Sequence, residues 1–249
     1  MRTLVLCLGN TSLLGGVFTG ARLTRNGRLP LGDRAALQAD IRAAGRIDRA
    51  VFCSVVPALT KSIARLIRAE TGVSPHLLTV DAPHGLEIGY REPRQFGTDR
   101  LAAALGARAL FPDENAIVVD CGTATTLTAL DRRGAVLGGA ILPGLALWPD
   151  MLAARTAQLP RVAVLRPRAA LGRSTRAAIA SGVFHGHAGA IRELTARIGA
   201  EAFGRRRFIV IGTGGAAPAL RREKLFTRLN PWLILYGLRA FSARVHDHA

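Results

Sequence analysis

Val119-Asp120-Cys121-Gly122-Thr123-Ala124-Thr125-Thr126 is the stretch on which the fold turns. Apolar runs of strand length flank it, Ala116 to Val119 before and Leu127 to Leu130 after, so it reads as the tip of a β-hairpin. A Gly-Thr-Ala-Thr turn aims several backbone N–H groups at one spot with hydroxyls alongside, an arrangement that binds anionic oxygen. Glycine is needed there because the backbone turns sharply and a ligand must approach closely. Taken singly, such a turn is weak as a signal, since Gly, Asn and Thr join hairpins for conformational reasons alone. The chain carries it twice: Thr3 to Leu8 stops at Gly9-Asn10-Thr11, and a second apolar run returns from Leu13 to Phe18.

Outward from these hairpins the pattern alternates between strand and helix. Ala50 to Cys53 reads as a strand, and Pro57 to Thr71 and Arg100 to Leu110 carry apolar residues at helical spacing. After the second hairpin come a strand at Ala135 to Leu142 and helices near Leu147 to Ala157 and Arg176 to Ile198. A strand at Phe208 to Ile211 and a last helix, Pro231 to Val245, complete the pattern. The turn cluster Pro112-Asp113-Glu114-Asn115 supplies a boundary between two halves that each begin with a hairpin. The expectation is a duplicated α/β fold, with an N-terminal lobe over residues 1–114, a C-terminal lobe over 115–249 and a cleft between them.

Composition narrows the classes. With 249 residues, 49% of them hydrophobic, the chain can bury its own core without disulfides or metals. Cys7, Cys53 and Cys121 are an odd set at wide spacing with no CxxC pair, which argues for reduced thiols. No uninterrupted apolar run reaches the ~18 residues of a membrane span, and Met1 to Thr11 lacks the pattern of a signal peptide. A cytoplasmic protein with no membrane partner is expected. The net charge of +17 invites a nucleic-acid reading. However, all 34 basic residues except Lys61 and Lys224 are arginines scattered along the chain, and aromatic residues at 5% are too few for a stacking platform. An anionic small molecule such as ATP would profit from the same positive field.

Paired phosphate hairpins are the mark of the actin/hexokinase/Hsp70-like ATPase fold, with two ribonuclease H-like lobes around a nucleotide cleft. Within that superfamily the chain resembles type III pantothenate kinases. Gly9-Asn10-Thr11 is similar to the family's first phosphate loop, Ser54-Val55-Val56-Pro57 to its Ser-Val-Val-Pro turn, and Val119 to Thr126 to its second phosphate loop. Tyr90-Arg91-Glu92-Pro93 followed by Gly97-Thr98-Asp99-Arg100 resembles its most specific motif. Gly138 to Gly144, Thr156 to Pro160, Gly172 to Thr175 and Ser181-Gly182 follow in the family's order.

The resemblance implies ATP-dependent phosphorylation of the primary hydroxyl of pantothenate, the first step of coenzyme A biosynthesis, by a homodimer. It implies Asp99 as general base, with Tyr90, Gly97, Thr98, Asp99, Arg100 and Thr175 lining the substrate pocket. The fork of Arg100 suits a carboxylate-bearing substrate. It further implies Cys7, Leu8, Gly9, Asn10, Thr11 and Thr123 around ATP, Mg²⁺ as cofactor, and Asp120 at a bound K⁺ or NH₄⁺. A simpler use of Asp99 is as the N-cap of the helix that follows.

One position departs from the family. Where the resemblance expects the first loop's metal-associated aspartate, this chain has Cys7. Mg²⁺ seeks carboxylate and water oxygen, for which a neutral thiol is a poor substitute. Cys7 then reads as a small buried hydrophobe, and two alternatives stay open: a pseudokinase that binds without transferring phosphate, and a kinase for a related hydroxy acid. Strand alternation turns Cys121 away from the face used by Asp120. The two-residue spacing of His185 and His187 argues against a metal pair.

Overall fold

In the computed structural model, which describes residues 1–247, the chain forms two compact units, Met1–Pro112 with the C-terminal helix from Leu233, and Asp113–Trp232. The first unit opens on an antiparallel meander, β1 (Arg2–Leu8), β2 (Ser12–Thr19) and β3 (Arg22–Pro30). Next come α1 (Arg34–Ala43), β4 (Arg49–Ser54), α2 (Pro57–Thr71), β5 (His76–Leu77), β6 (Glu87–Ile88) and α3 (Thr98–Leu110). The sheet order is β3-β2-β1-β4-β5, with β4 parallel to β1.

Alternation along β1 decides which layer each residue joins. Leu4, Leu6 and Leu8 pack with Leu37 and Ile41 of α1 and with Ile63, Leu66 and Ile67 of α2. Cys7 therefore points to the opposite face. Its in-register partner on β4 is Cys53, and both thiols are buried.

The second unit repeats the plan. It contains β7 (Ala116–Cys121), β8 (Ala124–Leu130), β9 (Ala135–Pro143), α4 (Leu147–Arg155), α5 (Thr175–Phe203), β10 (Ile209–Thr213) and β11 (Arg228–Leu229). Its strands run β11-β10-β7-β8-β9, again a three-strand meander continued by parallel strands. Ile117, Val119 and Cys121 join Ile179, Val183, Phe184 and Ile191 of α5 in one core, so Asp120 takes the other face of β7. No helix among the described residues is long and apolar enough to cross a membrane.

The last helix, α6 (Leu233–Asp247), was expected in the C-terminal lobe but packs in the first unit, against α3, β1 and β4. Sequence order put it in the second half; side-chain size puts it in the first. Gly106 of α3 faces the Leu233 carbonyl and Gly237 of α6 faces that of Ala102, so neither glycine has room for a Cβ. Two bare helix surfaces meet there, which only glycine permits. Residues 248 and 249 of the expected second lobe lie outside the described residues.

Gly237→Ala drives a methyl group into the Ala102 carbonyl and is expected to cost about 1–3 kcal/mol by overpacking. Thermal unfolding should show a drop in Tm of several degrees, with Gly106→Ala behaving alike.

Candidate active site

In the first unit three chain segments end together. Val55 N–H donates to the Leu8 carbonyl at 3.0 Å, and the Thr98 hydroxyl donates to the Ser54 carbonyl at 3.0 Å. The Gly9-Asn10-Thr11 end of β1, the end of β4 and the start of α3 are thereby tied to one another. Ser54 anchors the next helix as well. Its hydroxyl accepts from Val56 N–H at 3.1 Å and from Thr60 at 2.9 Å, which secures the first turn of α2, where Pro57 fits because the first helical residue needs no N–H partner. At the turn itself Gly9 N–H donates to the Ser12 carbonyl at 3.0 Å, leaving Asn10 and Thr11 exposed.

Gly97, not Asp99, is the N-cap of α3, and Asp99 lies inside the first turn. The carboxylate accepts from Arg100 N–H at 2.8 Å and sits over Gly97, where a Cβ would come within 2.7 Å of Oδ1. The helix N-terminus favours its negative charge. Asp99 is half-buried, as are Tyr90, Gly97 and Thr98.

Arg100 is 6% exposed. Its guanidinium stacks 4.6 Å from the ring centre of Phe96 and 5.4 Å from that of Tyr90. One nitrogen donates to the Tyr90 hydroxyl at 2.7 Å. The two rings meet edge to face at 5.1 Å. A buried cation needs this kind of compensation, and the two rings with the Tyr90 hydroxyl hold the guanidinium in place. Phe96 is the residue that the sequence reading passed over; its place directly before Gly97 was the available signal.

Cys7 and Cys53 form a thiol pair behind the first loop. Hydrogen bonding to Cys7, and then burial, push the Cys53 thiol well above the ordinary range. Position 7 is thus a buried site that carries no carboxylate in this chain.

The second unit holds Asp120, Thr123 and Thr175. Gly122 N–H donates to the Ala124 carbonyl at 3.1 Å, the counterpart of the Gly9 bond in the first hairpin. Gly144 N–H donates to the Thr123 carbonyl at 3.1 Å and Ala216 N–H to the Cys121 carbonyl at 3.0 Å, which pins the loop from both sides. Gly214, at φ 85°, lies against Asp120 Oδ1 so closely that a Cβ would collide with it. The in-register partner of Asp120 on β10 is Thr213, whose buried hydroxyl has no partner among the described residues. Burial, aided by the charge of Asp120, pushes the Cys121 thiol up to about 12. Thr175 is the first residue of α5, behind the Ser174 N-cap. It opens on an apolar pocket of about 740 Å³ lined by Trp148, Met151, Leu152, Ile179 and Val183.

These donors bear on a divalent cation. No cluster of three or more His, Cys, Asp or Glu exists among the described residues. What is present is one carboxylate, Asp120, on a glycine floor beside the orphaned Thr213 hydroxyl. Such a set fits a hydrated Mg²⁺, which keeps most of its waters and is held by one or two carboxylates plus substrate phosphates.

A family model for type III pantothenate kinase matches residues 3–197. The chain belongs to the type III pantothenate kinase family. It is 37% identical over 248 residues to a type III pantothenate kinase of Legionella pneumophila, covering 95% of this chain and 97% of that one. A type III pantothenate kinase of Dehalococcoides mccartyi is 36% identical over 245 residues, with 93% and 92% covered. Among solved structures, a Baf family protein of Campylobacter jejuni superposes with a TM-score of 0.64 at 19% identity, over 98% of this chain and 99% of that one. A ROK hexokinase of Thermus thermophilus gives 0.53 at 17% identity over 99% and 100%. The fold of this family member is therefore that of the actin-like ATPases.

All three cysteines should be silent to a thiol reagent such as Ellman's at pH 8 in the native protein, because each is buried and thiolates are the reactive form. Unfolding in guanidinium should release all 3. A fast-reacting thiol in the native state would contradict the buried pair.

Proposed function

We propose that this family member transfers the γ-phosphoryl group of ATP to the primary hydroxyl of pantothenate, with Asp99 as general base. The observation that carries the reading is the Tyr90, Phe96, Asp99 and Arg100 arrangement. An acidic oxygen in the first turn of a helix is followed in the chain by a buried guanidinium held by Tyr90 and Phe96, a match for a molecule with a hydroxyl and a carboxylate.

In this reading Arg100 pairs with the substrate carboxylate by two parallel hydrogen bonds, and Tyr90 and Phe96 hold its plane. Tyr90, Gly97 and Thr98 line the pocket in the first unit. Asp99 accepts the proton of the attacking hydroxyl, and its ordering by Arg100 N–H keeps the carboxylate aimed. In the first unit the turn at Asn10 and Thr11, closed by the Gly9 N–H and floored by Cys7 and Leu8, is a phosphate-binding turn for ATP, and in the second unit the turn at Thr123, closed by the Gly122 N–H, is another. Asp120 and Thr213 hold Mg²⁺, which when bound neutralises charge on the phosphates, and Asp120 is also the residue for K⁺ or NH₄⁺. The exposed apolar residues Leu137, Ile141, Leu147 and Met151 support a homodimer. ATP as the phosphoryl donor supports a cytoplasmic placement.

Purified protein given ATP, Mg²⁺, K⁺ and pantothenate should form phosphopantothenate. Asp99→Asn should lower kcat by on the order of 10²–10⁴ with KM for ATP little changed. Arg100→Lys should raise KM for pantothenate by about tenfold or more, because a point charge cannot replace the fork. Undiminished turnover in Asp99→Asn would remove the assignment of the base.

A further inference from the structure

The second phosphate loop is held from below by a residue that no part of the proposed chemistry uses. His187 lies midway along α5 with 0% of its surface exposed, a costly place for a polar ring. Its Nε2 lies 3.2 Å from the hydroxyl oxygen of Thr125, itself fully buried. Nδ1 is buried with no partner among the described residues. With the proton on Nε2, the ring donates to Thr125 and leaves only a lone pair unmatched, in place of an N–H. Burial lowers the pKa of His187, which favours this neutral ring.

Thr125 is the cross-strand partner of Cys121, and its hydroxyl also bonds to the Cys121 thiol. On another side of His187, the Trp148 ring meets the imidazole at 6.1 Å and 81°. Trp148 Nε1 donates to the Pro143 carbonyl at 3.2 Å. Pro143 is the cross-strand partner of Ala124, and the next residue, Gly144, donates to the Thr123 carbonyl. The imidazole therefore connects to both ends of the turn Cys121-Gly122-Thr123-Ala124, through Thr125 to its start and through Trp148 to its close. The turn's own backbone bonds do not reach α5; Cys121 packs on that helix through apolar contact, and His187 adds a hydrogen bond to it through Thr125.

We propose that His187 is a positioning residue for the second phosphate loop, holding its backbone N–H groups in the arrangement that grips the phosphates of ATP. The inference rests on the reading of residues 121–124 as an ATP phosphate loop. It assigns to His187 an effect on nucleotide affinity that the substrate pocket does not share.

The test compares His187→Phe, which keeps ring bulk and removes Nε2, with His187→Gln, whose amide nitrogen can reach the same hydroxyl. Thr125→Val removes the other partner at nearly constant shape. Steady-state kinetics and calorimetric binding of a non-hydrolysable ATP analogue are measured for each and for the double variant. His187→Phe and Thr125→Val should each weaken the ATP KM and analogue affinity by about tenfold, the scale of one buried hydrogen bond. KM for pantothenate should stay constant, the double variant should be no worse than either single one, and His187→Gln should recover most of the loss. Nucleotide affinities within twofold of wild type in both single variants would overturn the proposal. So would equal weakening of both substrates, or failure of both variants to fold, since His187 would then serve the core alone. Wild-type protein that does not bind the analogue would remove the phosphate-loop reading first, and the inference with it.

Discussion

Parallel pairing of a strand beside each hairpin is the constraint on which the rest of the structure depends. β4 continues the meander next to β1, so that Leu8 lies opposite Ser54, and β10 continues it next to β7, so that Asp120 lies opposite Thr213. Each pairing brings a glycine-bearing turn level with the end of a neighbouring strand. In the first unit this puts the loop at Gly9 beside Ser54, and through Ser54 beside Thr98 and Asp99. In the second it puts Asp120 over Gly214. Strand ends in register, rather than residues close in sequence, are what assemble the candidate chemistry.

Cys7 follows from the same register. Alternation along β1 sends it to the face away from α1 and α2, and its partner there is Cys53. The place is buried, and the thiol there is hydrogen-bonded to a second one. The consequence falls on the metal. With no carboxylate at position 7, the proposed holder of Mg²⁺ is Asp120, and a cation held there would take its remaining ligands from water, phosphate and hydroxyl oxygen. Weaker hold on Mg²⁺ is the physical expectation, while the pocket around Arg100 is untouched.

Much of this was legible in the residues. The two Gly-Thr-type turns marked both hairpins, and the Tyr90 to Arg100 motif marked residues that the structure brings together in the first unit. Alternation correctly separated Asp120 from Cys121. Other features were hidden for identifiable reasons. β3, with residues such as Arg22, Asn26 and Arg28, is an exposed edge strand with little apolar pattern to read. The helix α1 has only Leu37 and Ile41 buried, too thin a stripe to stand out. The docking of α6 on α3 depends on Gly106 and Gly237, whose role is a matter of missing volume between distant segments. His187 reads as one of two histidines on a helix until Thr125 and Trp148 are seen against it.

The central claim is that phosphoryl transfer runs here with one carboxylate at the metal. It is tested most directly by measuring pantothenate-dependent ADP release against Mg²⁺ concentration in the wild-type protein and in Cys7→Asp. The account predicts turnover in the wild type at high Mg²⁺, with Cys7→Asp reaching half its maximal rate at about tenfold lower Mg²⁺ and with KM for pantothenate unchanged. Wild-type protein that binds pantothenate and ATP but releases no ADP at any Mg²⁺ concentration, while Cys7→Asp does, would contradict it and make this chain a binding protein on a kinase fold.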